Sequence, residues 1–227
     1  MDVLAQCALF AGMSEADRMH LCRCLGTTQR RYKKGEAIIL RGERVDYCAV
    51  VLQGQVQAES VSPLGEKRIV AVHGPGSIFA DVLAVSADSR SPLDILAAAP
   101  GTELLLIPAA TLSGGCSRAC EAHALLRRNL LRELAEKYWQ QRRRCGYLEK
   151  PSLRARIADR LLYEAKRQKS DIFSLGCGRE ALAGELGANR SALSREISRM
   201  KEEGLIDSYR DSFRLLDRAA LEQAAAR

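Results

Sequence analysis

The sequence predicts an α+β chain: an N-terminal jelly-roll β-barrel, a long helix, and a C-terminal winged helix-turn-helix. Three observations carry this. Between about Thr28 and Pro108, short apolar runs alternate with glycines. From about Ser117 to Tyr147 an apolar stripe runs through a stretch without proline. Gly178 to Leu216 then sets two helical patterns around a glycine, followed by two alternating segments.

The elements follow in order. Residues 1 to about 25 read as helical, with Ser14 as N-cap of a short helix and Glu15 and Asp17 in its first turn. The next region holds the runs Ala37–Leu40, Cys48–Leu52, Gln55–Ala58, Arg68–Val72 and Glu103–Ile107. Gly35, Gly42, Gly54, Gly65, Gly74, Gly76 and Gly101 fall at or near the turns between them. Many short strands with regular turn signals predict an antiparallel barrel or jelly roll, with a sandwich lacking a ligand cavity as the alternative. In the long helix, Leu130, Leu131, Leu134 and Tyr138 make the stripe and Trp139 lies beside it. Such a stripe is expected to pack against its own copy in a parallel dimer, or back onto the barrel. Pro151 restricts the residue before it and suits N1 of a new helix, so the chain is expected to divide as 1–112, 113–149 and 150–227. Leu153 to Lys169 is then the first helix of the last domain.

That domain carries the chemistry. Ala181, Leu182, Glu185 and Leu186 give the first helix of the pair an apolar face, and Gly187 marks its stop. Asn189 suits the N-cap of a second helix ending near Glu203, with Gly204 beyond it. Leu193, Ile197 and Met200 turn inward, leaving Arg190, Ser191, Ser194, Arg195 and Ser198 outward. Two helices joined through a tight glycine turn form the DNA-binding supersecondary unit, whose second helix reaches base edges in the major groove. Arginine bonds guanine O6 and N7 bidentately, and serine reaches bases or phosphates. Arg179, Asn189, Arg190, Ser191, Ser194, Arg195 and Ser198 are therefore the expected DNA contacts. Leu205–Tyr209 and Ser212–Leu216 alternate around Arg210-Asp211 and predict the hairpin wing.

Charge agrees with a polyanionic partner. The 227 residues carry a net charge of +7, and Arg127 to Arg144 holds seven basic residues against Glu133 and Glu136. No apolar run is long enough to span a bilayer, so no membrane partner and a cytoplasmic location are expected. The eight cysteines are expected to be reduced thiols rather than a disulfide framework. No nucleophile elbow, Walker loop, dinucleotide fingerprint or H-E-x-x-H is present, and the barrel region has one histidine, His73, so an enzyme is not expected.

With barrel, long helix and winged helix-turn-helix in this order, the chain resembles the Crp/Fnr superfamily of bacterial transcription regulators. Gly54-Gln55-Val56 resembles the family's G-x-V barrel turn, and Gly74-Pro75-Gly76-Ser77-Ile78-Phe79 its G-P-G-D-x-F segment. Asn189-Arg190-Ser191-Ala192-Leu193-Ser194-Arg195 is similar to its recognition-helix pattern x-R-E-T-x-S-R. Cys116-Ser117-Arg118-Ala119-Cys120 and Asn129 to Lys137 are similar to a subgroup common in anaerobic Firmicutes and their relatives, without assigned effectors. The resemblance implies a cyclic-nucleotide-binding-type sensor barrel and a homodimer on palindromic double-stranded DNA, half-sites about one helical turn apart. It also implies a small effector that controls DNA binding, and contact with RNA polymerase if the protein is an activator. Arg195 matches the guanine-reading arginine and Arg190 the arginine that contacts phosphate or base, while Ser191 replaces the usual glutamate.

For the effector, the resemblance points to Phe79, Asp81, Val82, Arg90 and Ser91. Arg90 and Ser91 keep the anion-holding pair of the cyclic-AMP binders. Asp81 is a shortened acid, Ala80 stands for a glycine, and Pro92 removes an amide donor. These departures speak against cyclic AMP and for another small anionic or aromatic ligand, its identity unknown. Two alternatives remain open: a cyclic-nucleotide-binding-type module that does not bind DNA, and a metal, haem or thiol redox sensor. The second would use Cys116 and Cys120, four apart, with His123 following.

Overall fold

The computed structural model describes residues 3–62, 65–113 and 120–226. The chain divides into two compact units, Met1–Glu136 and Lys137–Arg227. The division falls inside the long helix Glu121–Leu148, which the sequence reading set apart from both neighbours.

The first unit opens with two short 3₁₀ turns, Val3–Gln6 and Ala8–Phe10, and helix α1, Glu15–Cys24. Ser14 caps α1 as expected, in a reciprocal capping box with Asp17. Eight strands follow: β1 Thr28–Tyr32, β2 Ala37–Ile39, β3 Tyr47–Gln53, β4 Val56–Val61, β5 Lys67–His73, β6 Ile78–Phe79, β7 Asp94–Ala97 and β8 Thr102–Pro108. Helix α2, Asp81–Val85, lies between β6 and β7, and α3, Ala109–Ser113, follows β8. The strands form two four-stranded antiparallel sheets, ordered β1-β8-β3-β6 and β2-β7-β4-β5, which is the jelly roll.

Strands β3 and β8 are apolar on both faces for a reason. Ala49, Val51, Leu104 and Leu106 face the core between the sheets. Cys48, Val50, Leu105 and Ile107 face a second cluster built with Leu9, Phe10, Leu21, Leu126 and Leu130. A strand covered on both sides reads as an unbroken apolar run. Gly54 turns β3 into β4 with φ 81°, and a Cβ there would lie 2.8 Å from the Thr102 Cα, so only glycine fits.

Helix α4, Glu121–Leu148, is 28 residues long. Within the first unit Asn129 Nδ2 donates to the carbonyls of Leu9 (3.1 Å) and Ala11 (2.9 Å).

The second unit continues with α5 Leu153–Gln168, β9 Ile172–Ser174, α6 Arg179–Glu185, α7 Arg190–Glu202, β10 Ile206–Tyr209, β11 Ser212–Leu215 and α8 Arg218–Ala226. The N-cap of α5 is Ser152, whose hydroxyl accepts from the Ala155 amide at 3.1 Å, so Pro151 precedes the cap rather than occupying N1. Strand β9 pairs with β11 and makes the wing a three-stranded sheet ordered β10-β11-β9. One core joins Leu182, Ala183 and Leu186 of α6, Leu193, Ile197 and Met200 of α7, Phe173 and Phe213 of the sheet, and Leu161 of α5. Ala181 is exposed and Ala183 buried, which shifts the apolar face of α6 from the one the sequence spacing suggested. Among the described residues, no helix is long and apolar enough to cross a membrane.

Candidate nucleic-acid interface and sensor site

Helix α7 is held from behind and bare in front. Its N-cap is Asn189, whose Oδ1 accepts from the Ala192 amide and the Ser191 hydroxyl, both at 2.8 Å. Leu193, Ile197 and Met200 are buried, while Arg190, Ser191, Ser194, Arg195 and Ser198 are all exposed. Among the described residues, neither Arg190 nor Arg195 has a side-chain hydrogen bond or ion pair. Arg154 of α5 fixes the helix axis: its Nε meets Glu196 at 2.6 Å, and its two terminal nitrogens meet Glu203 at 2.6 and 2.7 Å. Such bidentate bonds, first those to Glu203, hold the guanidinium pKa above its ordinary value.

Arg179, the first residue of α6, is more restrained than expected. Its guanidinium lies 4.8 Å over the Phe213 ring, and Nη2 donates to the Ser208 hydroxyl at 3.2 Å. Its Nη1 is buried and, among the described residues, has no hydrogen-bond partner. A cleft of about 380 Å³ opens there, lined by Gly176, Cys177, Gly178, Arg179, Arg210 and Asp211. The wing tip supplies Arg210, at φ 54°, with its guanidinium 5.4 Å over the Tyr209 ring. Lys201 ties α7 to the wing, its Nζ donating to the Ser208 carbonyl at 2.9 Å and meeting Asp207 at 2.9 Å. Sequence reasoning left Lys201, Tyr209 and Arg210 out of the site. The usable signal was an aromatic and a cation side by side at a hairpin tip, where neither can be buried.

The stripe of α4 splits. Leu130 is buried and Leu134 half-buried against the first unit's core, whereas Leu131 is 68% and Tyr138 61% exposed. Trp139 is exposed and packs edge-on to Tyr138, ring centres 5.4 Å apart.

The residues expected to hold an effector lie around the β6–β7 connection. Phe79 and Asp81 are buried, Val82 is exposed, and Ala80 takes the left-handed backbone (φ 59°) that a glycine adopts without strain. Arg90 is exposed and its Nη1 donates to the Gly42 carbonyl at 2.9 Å. The buried Ser91 donates to the Leu93 carbonyl at 2.7 Å and accepts its amide at 3.3 Å. Both groups are thus satisfied by their own backbone.

Of the thiol candidates, Cys116 lies outside the described residues. Cys120 is half-buried, with Sγ 2.8 Å from Nδ1 of His123. The seven described cysteines, Cys120 among them, are free thiols. Among the described residues, no three of His, Cys, Asp and Glu are grouped to hold a metal ion.

Comparison with known proteins agrees with both halves of the chain. The cyclic nucleotide-binding domain family matches residues 29–118, and the Crp-like helix-turn-helix domain matches residues 155–224. The cyclic AMP receptor protein of Thermus thermophilus is 24% identical over 197 residues, 87% of this chain and 88% of that one. Transcriptional regulator LdrP of the same species is 28% identical over 203 residues, 86% and 96% of the two chains. The crystal structure of the Thermus thermophilus catabolite activator protein superposes with TM-score 0.54 at 22% identity, covering 96% of this chain and 98% of that one. CprK complexed with OCPA superposes with TM-score 0.61 at 16% identity, covering 90% and 92%. At these identities the two structures speak for the fold alone.

Proposed function

From the premise that the chain belongs to the Crp/Fnr-type DNA-binding transcription regulators, a family of regulators and not of enzymes, we propose that it acts as a cytoplasmic homodimer on a palindromic operator. In this reading Arg195 reads a guanine, Arg190 takes a phosphate or a base, and Ser194 and Ser198 line the groove. Asn189 and Ser191 hold the start of α7, and Arg179 anchors the backbone. The single observation that carries it is α7, which is locked from behind by Arg154 and presents Arg190 and Arg195 without side-chain partners among the described residues. The exposed Leu131, Tyr138 and Trp139 support pairing of two copies along α4. Activation, through contact with RNA polymerase, follows the family's usual mode.

The test starts from a duplex selected by the protein from a random pool. Arg195→Ala should weaken binding to that duplex by about 1–3 kcal/mol, and binding to random DNA much less. Equal losses on both would remove the base-reading role.

For the effector we infer a small anion beside Arg90 and Ser91, within reach of Phe79, Asp81 and Val82. Two relatives carry names that refer to cyclic AMP or catabolite activation, but Ala80 and Pro92 speak against cyclic AMP here. A second reading is thiol sensing in the first unit, and the 2.8 Å contact between Cys120 and His123 favours it.

A further inference from the structure

Cys120 and His123 combine a nucleophile with a base. Cys120 immediately precedes α4, and its carbonyl accepts from the Ala124 amide at 3.3 Å. The thiol therefore sits over the first turn of a 28-residue helix, where unpaired amides favour negative charge. His123 is only 4% exposed, and His20 of α1 meets it edge-on with ring centres 6.5 Å apart. Burial, then the nearby Arg127 and His20, holds the His123 imidazole below its ordinary pKa. The lowered pKa makes it a weaker base than a free imidazole, but with Nδ1 2.8 Å from the Cys120 sulfur it is placed to relay the thiol proton. The half-buried thiol packs beside the apolar cluster of Leu126 and Leu130. A thiol paired with a base in this way is an activated nucleophile.

We propose that Cys120 is a peroxide-reactive thiol with His123 as its proton relay, the co-substrate being a hydroperoxide. This rests on the thiol-sensing reading above. The Cys120 proton passes to His123 Nδ1 as the sulfur attacks the terminal oxygen of the hydroperoxide. The S–O bond forms, the O–O bond breaks, and the departing oxygen takes the proton from His123. Thiol and hydroperoxide become sulfenic acid and water, or an alcohol from an organic hydroperoxide. The sulfur is oxidised and the peroxide reduced, and a thiol reductant restores the starting state.

The other cysteines supply the control. Exposure alone would make Cys145 and Cys24 react before the half-buried Cys120. The reduced full-length protein is treated with one equivalent of hydrogen peroxide and dimedone, then quenched, and the adducts are mapped by peptide mass. Cys120 should label at least about tenfold faster than Cys145, as a proton relay from its sulfur to His123 requires. His123→Asn should bring Cys120 down to the Cys145 rate. A Cys120 that labels no faster than Cys145 in the wild type overturns the proposal, and so does an unchanged Cys120 rate in a folded His123→Asn protein. The wild-type ranking needs no variant, so a variant that fails to fold leaves the test intact. Fast labelling with unchanged affinity for the selected duplex would uphold the reactive site and remove the sensing reading alone.

Discussion

The two units hold their key arginines in opposite ways. On α7, Arg190 and Arg195 reach outward with no side-chain partner among the described residues, and the helix beneath them is fixed by buried carbons and by Arg154. In the sensor, Arg90 is bonded to the Gly42 carbonyl, and Ser91 is closed onto Leu93. A displayed arginine binds DNA without giving up a bond. A bonded one must exchange partners, and a charge-assisted bidentate bond is roughly twice as strong as a neutral one. For the anion proposed there, Arg90 would have to leave the Gly42 carbonyl, an exchange that a bidentate ion pair favours more than a neutral ligand does.

The contrast breaks most sharply at Glu164. This carboxylate is 2% exposed and is held by Arg160, Arg167 and Gln168. Arg160 also meets Glu185 of α6 at 2.9 Å, which ties α5 to the helix-turn-helix. Burial alone would raise the Glu164 pKa, but the hydrogen bonds from Arg167, Gln168 and Arg160 more than reverse this, taking it from 4.5 to about 2. A depressed carboxylate gives stability that is complete above its unfolded pKa of 4.5 and lost as pH falls towards about 2. At 1.36 kcal/mol per unit this amounts to about 3 kcal/mol. Glu164→Ala should cost the second unit about 3–5 kcal/mol, since Arg160 is left buried with one partner fewer. Urea unfolding followed by circular dichroism checks both. A loss below about 1 kcal/mol, typical of exposed pairs, would mean that the network is not what ties α5 to the helix-turn-helix.

A smaller effect is expected at the turn between α6 and α7. Gly187 has φ 64°, and a Cβ there would lie 2.6 Å from the Leu148 side chain. The side chain can move, so the backbone decides. Gly187→Ala should cost about 1–2 kcal/mol, the left-handed penalty for an L-residue. The urea midpoint measures it, and operator affinity should fall only as far as the fold does.

The second unit was the more legible in sequence because its signals are local. The Asn189 cap, Gly187, the inward Leu193–Ile197–Met200 spacing and the outward Arg190 and Arg195 lie within one short stretch and mean the same thing in any compact setting. Strand β9 and helix α8 were not legible. Ile172–Ser174 becomes a strand only because β11 lies beside it, and Arg218–Ala226 is short and alanine-rich. The jelly roll was legible as a class, since runs and glycines announce short strands, but its sheet order depends on pairings far apart in sequence. The stripe of α4 looked uniform, yet Leu130 packs inward and Leu131 outward, a division that only the neighbouring turns and α1 decide. The nearness of His20 to His123 had no sequence signal, because α1 and α4 are about a hundred residues apart.

In the sensor, Arg90→Ala sharpens the comparison at modest energetic cost. The bond to Gly42 is exposed, so the variant should lose less than about 1 kcal/mol of stability. Any anion-dependent rise in melting temperature should disappear with it. A rise that survives would place the anion elsewhere and leave Arg90 as a loop tie.

The smallest effect on stability is expected at Ala80, and it separates two explanations of effector choice. Ala80 holds φ 59° and ψ 5° just before α2, the conformation a glycine would take freely. Ala80→Gly removes about 1–2 kcal/mol of left-handed strain and returns about 0.4–1 kcal/mol through the looser unfolded chain. The net change should be a gain of no more than about 1 kcal/mol, readable as a small rise in the urea midpoint. The variant also restores close backbone approach at the sensor loop while leaving Arg90 on Gly42 and Pro92 without an amide. If the variant then binds cyclic AMP in calorimetry, the extra methyl of Ala80 was what excluded it. If it does not, the exclusion lies with Arg90, Ser91 and Pro92, and the loop is closed by its own hydrogen bonds rather than by one crowded carbon.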